Sequence, residues 1–276
     1  MVISDTHEHS FDGIKMPQVD VLLHTEDLNN VGELDSLRDS IKMMGTIDAE
    51  LRLVIAGNHD ISLDKTRRVD NMSDEEYANY HTTALEIMTG PLAKEAGITY
   101  LDEGTHVFTT LTNGAKFTVY ASPYTSGSGG WAFPYPPTED RFNATQQTAS
   151  DRTSLATNPI PAGIDMVMSH GPPHSILDQV DGQNRGRPHL FRALSRTKPL
   201  MHAFAHMHEG HGAHIVEWGA DGSVTNPHAA TPLETEQIND YPSANEWDVT
   251  RGKQALMVNA AICDHDEYVD GHEAEL

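Results

Sequence analysis

Cysteine is nearly missing from this chain: Cys263 is the one thiol in 276 residues. That excludes a disulfide framework and a cysteine-rich metal site. A lone thiol fits a reducing compartment, so a cytoplasmic, intracellular setting is expected. Cationic side chains are scarce too, 18 Lys and Arg against 41 Asp and Glu, for a formal charge of −23. Such a surface repels nucleic-acid backbone and anionic lipid, so neither duplex nucleic acid nor a membrane is an expected partner. No apolar run reaches the length of a membrane span. No leader with a basic, apolar and small-residue pattern precedes Val2-Ile3-Ser4, which agrees with the intracellular expectation. Linker-like stretches and internal repeats are lacking as well. Residues 1–263 are therefore expected to form one domain, and the acidic stretch 264–276 a mobile tail.

Histidine, by contrast, is abundant, with 17 residues, and several of them close short apolar runs. Val2–Ser4, Val19–His24 and Leu51–Ala56 read as strands, with Leu34, Leu37, Ile41 and Met44 marking a helix between the second and third. Ser73 and Glu76 form a capping box for a helix running to about Met88, stopped at Gly90-Pro91. Strands over Val107–Thr110 and Lys116–Ala121 flank a turn at Asn113-Gly114. Later strands are expected at Ile164–Met168, Leu200–Ala205, Ile215–Trp218 and Leu256–Val258, with a short helix over Leu190–Leu194. This alternation predicts an α/β fold with partly parallel sheets.

The most informative tetrapeptide is Gly57-Asn58-His59-Asp60, directly after the third strand. In open α/β sheets the carboxyl ends of strands are where ligands bind. Other strands end in Asp5 and His7, in Asp27, in His170, and in His206 and His208. Carboxylate, imidazole and amide donors in these numbers exceed what one tetrahedral zinc ion needs. They suit two cations sharing one carboxylate, the arrangement that clamps attacking and leaving oxygens in phosphoryl displacement. The donor mixture fits Mn, Fe or Zn without choosing among them.

In order and context, Asp5-x-His7, Asp27, Gly57-Asn58-His59-Asp60, His170 and His206-x-His208 resemble the calcineurin-like metallophosphoesterase superfamily. Val31-Gly32-Glu33-Leu34, Ser169-His170-Gly171-Pro172-Pro173 and His206-Met207-His208-Glu209-Gly210 resemble the metallophosphoesterase-domain-containing subgroup, including its fungal-type members. The resemblance implies a four-layer α/β/β/α sandwich of two mixed β-sheets flanked by helices. It implies one metal held by Asp5, His7 and His208 and another by Asn58, His170 and His206. Asp27 would bridge the two together with a water or hydroxide. His59 would act on the leaving oxygen, and Asp60 would orient His59 by hydrogen bonding. Three departures stand out: Glu26 and Ala205 occupy positions where the family has glycine, and Arg187 stands where fungal relatives often have cysteine.

Arg187 and Trp131 are the expected substrate contacts, the first for phosphate and the second as part of an aromatic wall with Phe133 and Tyr135. His24 and His202, inside apolar strands, are expected to be core histidines. Asp5-x-His7-x-His9 also fits the opening of TIM-barrel amidohydrolases, but no eightfold βα repeat follows. The expected activity is a dinuclear phosphoesterase using a metal-bridging hydroxide, and the resemblance implies small or nucleotide-like phosphodiesters as substrates. A non-catalytic scaffold of the same fold and a protein phosphatase are the alternatives.

Overall fold

Leu22 and Leu23 are successive residues that point to opposite faces of a strand, yet both are buried. Apolar contact on both faces is the mark of a parallel sheet covered on each side. The computed structural model describes residues 1–67, 71–127, 130–224 and 246–262. Its first sheet sets β1 (Val2–Ile3), β2 (Val19–His24), β3 (Ala49–Val54) and β4 (Ile98–Tyr100) side by side in that order, all parallel.

Parallel neighbours require crossovers. Between β2 and β3 the crossover is α1 (Leu34–Gly45), whose Leu37, Ile41 and Met44 are buried at the three- and four-residue spacing of one helix face. Between β3 and β4 it is α2 (Asp74–Thr89) followed by α3 (Pro91–Glu95). The capping box at the start of α2 forms as the sequence predicts: Ser73 N donates to Glu76 Oε2 at 2.8 Å and Glu76 N to Ser73 Oγ at 3.3 Å. Gly90 ends α2 and Pro91 opens α3, where its missing N–H costs nothing.

A second sheet contains β5 (Gly104–Thr109), β6 (Lys116–Ser122), β7 (Met166–Ser169), β8 (Met201–Phe204), β9 (Gly212–Glu217) and β10 (Gln254–Asn259). Their spatial order is β9-β10-β8-β7-β6-β5. The inner pairs are parallel, while the edge pairs β5–β6 and β9–β10 are antiparallel. This larger sheet is thus mixed, and the smaller one wholly parallel.

Leu23, Leu53 and Ile55 of the first sheet meet Val119, Ala121, Met168 and Ala203 of the second between the layers. Helices α1 to α3 cover the outer face of the first sheet through Leu37, Ile41, Met88 and Ala93. The outer face of the second is covered by α4 (Pro188–Thr197), whose Leu190 and Leu194 pack with Val167, Phe204 and Met257. The result is the four-layer α/β/β/α sandwich. Each fully buried leucine in these layers contributes about 1.5–3 kcal/mol.

Some elements escape the sequence pattern. Helix α3 and strand β4 are five and three residues long, too short to show a period. Helix α4 extends three residues beyond the predicted Leu194 because Ser195, Arg196 and Thr197 carry no apolar signal. Strand β3 ends at Val54, although Ile55 N still reaches His24 O at 3.1 Å. Among the described residues no helix is long and apolar enough to cross a membrane. Cys263 and the expected tail 264–276 lie outside the described residues.

Candidate metal centre

The β1–β2 ladder does not stop where the strands do. Thr25 N bonds to Ile3 O, Asp5 N to Glu26 O and His7 N to Asp27 O, each at 3.1 Å. Asp5, His7 and Asp27 are therefore delivered side by side at one crest. The second sheet brings its own strand ends to the same place. Ser4 bridges in parallel to Ala261, just past β10, and Ala205 N bonds to His170 O at 3.1 Å. Several of these residues hold positive φ: Asp5 at 50°, His7 at 40°, Glu26 at 141°, Asp27 at 47° and His206 at 69°. Such conformations cost on the order of 1–3 kcal/mol each and persist where surrounding contacts over-determine them. Ala205 is not among them, so alanine is unstrained at its position.

Gly57 closes the crest from below. A Cβ built on it would lie 2.2 Å from Asp27 Oδ1 and 2.8 Å from Glu26 Cβ. Gly57→Ala is accordingly expected to displace the Asp27 carboxylate and destabilise the fold by about 1–3 kcal/mol, the usual cost of overpacking. Thermal melting and metal content, both lowered, would check this; unchanged values would mean that Asp27 has a second usable rotamer.

Two donor groups result, Asp5 with His7 and His208, and Asp27 with His170 and His206. Within each, the ligating atoms lie within 4.8 Å of one another. His208 Nε2 is 3.0 Å and His7 Nε2 3.9 Å from Asp5 Oδ1. In the second group His170 Nε2 is 3.8 Å from Asp27 Oδ2, and the His170 and His206 rings are 4.4 Å apart. Asn58 joins this group through Oδ1, which contacts His170 Nε2. The seven side chains expected to bind metal thus stand together at the crest.

Their electrostatics fit two cations. Burial, then repulsion from Asp5 and Asp60, pushes the Asp27 carboxyl well above its usual range. Burial, then Asp5, Asp27 and Asp60, does the same to Glu26. Bound cations relieve this crowding of buried carboxylates. Burial also lowers His7 and His206 to about 4 and His170 well below its ordinary value. Near neutral pH these rings are uncharged, and a neutral imidazole offers a lone pair to a metal. Asp5 Oδ2 is buried with no hydrogen-bond partner among the described residues, as an atom reserved for a cation would be.

His59 lies beside both groups. Its ring centroid is 4.8 Å from that of His7, and its amide donates to Asp27 Oδ1 at 2.9 Å. The expectation that Asp60 orients this ring needs correction. The Asp60 carboxylate instead accepts from Gly57 N at 2.8 Å, Leu28 N at 3.1 Å and Asn29 Nδ2 at 3.0 Å. It ties the turn after β3 to the loop after β2, and burial pushes its pKa up to about 7. The imidazole of His59 is held by Asn30, with Nδ1 2.7 Å from the Asn30 carbonyl. A main-chain acceptor of this kind carries no side-chain signature, so the sequence could not reveal it.

Of the aromatic wall, Trp131 alone faces the crest, its ring 4.1 Å from that of His59. Ala132 N bonds to Asn58 O at 2.9 Å and pins the loop there. Phe133 and Tyr135 are buried in the packing instead. Arg187 lines a small cleft with Tyr124, Tyr135, Arg185 and His206 and donates to Ser126 O at 2.7 Å. His24 and His202 are core histidines: His24 Nε2 is 3.1 Å from Thr6 Oγ1, and His202 Nε2 is 2.7 Å from Ser169 Oγ. Asn259 Nδ2 donates to Met207 O at 2.8 Å, fixing the residue between His206 and His208. The Glu26 side chain meets His170 at Nδ1.

The family model described as calcineurin-like phosphoesterase matches residues 1–210. Metallophosphoesterase domain-containing protein 1 of Homo sapiens and that of Mus musculus are each 29% identical over 250 residues, covering 87% of this chain and 70% of theirs. The probable rhamnogalacturonate lyase C of Emericella nidulans is 30% identical over 219 residues, 78% of this chain but 18% of that protein. Among solved structures, the phosphopantetheinyl hydrolase of Mycobacterium tuberculosis is 14% identical with a TM-score of 0.40, covering 75% of this chain and 82% of its own.

Proposed function

Since the chain belongs to the calcineurin-like phosphoesterase family, we propose that it is a dinuclear metal-dependent phosphoesterase acting on small or nucleotide-like phosphodiesters. The observation that carries this reading is the place of Asp27. Its main-chain carbonyl binds His7 of one donor group, while its carboxylate lies 3.8 Å from His170 of the other. Asp5, His7 and His208 would hold one cation, Asn58, His170 and His206 the second, and Asp27 both. When bound there, two such cations, Mn, Fe or Zn, would supply a water nucleophile near neutral pH and would neutralise charge building at phosphorus.

The chain's own residues do the rest. With the Nδ1–H of His59 donated to the Asn30 carbonyl, Nε2 is the nitrogen that serves the departing alcohol as proton donor in the imidazolium form, which burial opposes and the Asn30 carbonyl and Asp5 favour. Trp131, packed on His59, offers a flat face to an aryl or base group of the ester. Arg187, beside His206 in its cleft, offers a guanidinium to a phosphoryl oxygen. A diester brings one negative charge, which suits a chain with 18 Lys and Arg against 41 Asp and Glu. The acidic chain suits a small intracellular ester better than duplex nucleic acid or a membrane.

Hydrolysis of bis-p-nitrophenyl phosphate tests this reading. Activity is expected with added Mn, lost on chelation and restored by the metal. The monoester p-nitrophenyl phosphate should be cleaved more slowly. Two bound metals without hydrolysis of any phosphate ester would favour a non-catalytic scaffold, and hydrolysis surviving full metal removal would overturn the metal mechanism.

A further inference from the structure

We propose that Glu26 is a positioning residue whose carboxylate accepts the Nδ1–H of His170 and so aims Nε2 at the second cation. The proposal rests on the two-cation reading above. Glu26 Oε2 lies against His170 Nδ1, and both side chains are fully buried. On the other side of the same ring, Nε2 contacts Asn58 Oδ1 and stands 3.8 Å from Asp27 Oδ2. The two nitrogens therefore have separate tasks, one facing the donor group and one facing Glu26. A metal-ligating imidazole needs its other nitrogen protonated and oriented; a carboxylate acceptor fixes that tautomer and raises the ring's basicity. Because Glu26 meets the rear of the ring, it stands behind the ligand rather than adding a further one.

The backbone explains how a glutamate reaches there. Glu26 has φ 141°, a conformation that glycine takes without strain. Its amide is held by His24 Nδ1 at 3.3 Å and its carbonyl by Asp5 N at 3.1 Å. A side chain at this position costs backbone strain and carboxylate desolvation, and the contact with His170 is what offsets both.

The test is stepwise zinc binding by calorimetry on the full chain, with E26G and E26Q beside the wild type. Two binding events are expected in the wild type. In E26G one event should weaken about 10–100-fold and the other stay unchanged, the usual scale for losing such a partner. E26Q, whose amide oxygen still accepts a hydrogen bond, should fall between. In the zinc-loaded protein the His170 Nδ1–H proton should be slow to exchange in the wild type and fast in E26G. The metal-free E26G protein should melt no lower than the wild type, because glycine relieves the strain. Unchanged affinities in both variants would overturn the proposal, as would equal weakening of both events, which would mark a merely structural role. Should E26G not fold, E26Q decides by the same criteria. A wild-type protein that binds fewer than two zinc ions would overturn the two-cation reading itself, an outcome distinct from failure of the Glu26 assignment.

Discussion

Asp27→Ala is expected to abolish binding of at least one cation and to slow phosphodiester hydrolysis about a thousandfold or more. Asp27 meets His59 and residues of both donor groups. Its Oδ1 takes the His59 amide at 2.9 Å, its Oδ2 lies 3.8 Å from His170 Nε2, and its main chain carries His7. Metal ions typically contribute several kcal/mol of charge stabilisation in the transition state. At about 1.4 kcal/mol per tenfold, losing about 4 kcal/mol is a thousandfold. The metal-free variant should nevertheless fold. Asp27 is a buried carboxylate pushed up by burial and by Asp5 and Asp60, so its removal relieves repulsion in the empty site and also frees space above Gly57. Elemental analysis and melting temperature, measured together, separate loss of metal from loss of fold. Two metals retained at wild-type affinity would remove Asp27 from the bridging role.

His59→Ala is expected to reduce turnover about 100- to 10,000-fold, the range for a positioned acid or base, with both metals retained. The substitution leaves the seven donor side chains in place. It removes the ring that Asn30 holds at 2.7 Å and on which Trp131 packs. The dependence on leaving group is the sharper readout. A p-nitrophenolate departs without a proton, whereas an alkoxide needs one. The loss should therefore be smallest with p-nitrophenyl esters and grow as the leaving alcohol becomes more basic. Equal losses across leaving groups would mean that His59 stabilises charge without transferring a proton.

Much of the fold was legible because its residues announce their surroundings. The Val19–His24 strand, the Leu37, Ile41 and Met44 face and the Ser73–Glu76 box each have a local cause, so each shows in the sequence. The short α3 and β4 did not show, because their few residues are fixed by packing against neighbours. The same divide runs through the site. Asn58 and His59 sit beside one another in the chain, but the partner of His59 is a carbonyl on another loop. Asp60 looks like the residue to orient His59, yet its oxygens face the opposite way, onto Gly57, Leu28 and Asn29. Glu26 reads as a departure from a glycine, and the ring it meets lies 144 residues away along the chain.

Which side chains end the strands, and that their donors suit metal, is legible in the chain alone, because donor chemistry and strand-end placement are properties of short segments. Folding alone gathers the donors into two groups, sets the Asn30 carbonyl against His59 and brings Glu26 against His170. Those outcomes depend on two sheets stacked through Leu53 and Met168 and stitched at Ser4 and Ala261. Pairings across that junction are set by the packing of distant segments, which no local pattern encodes.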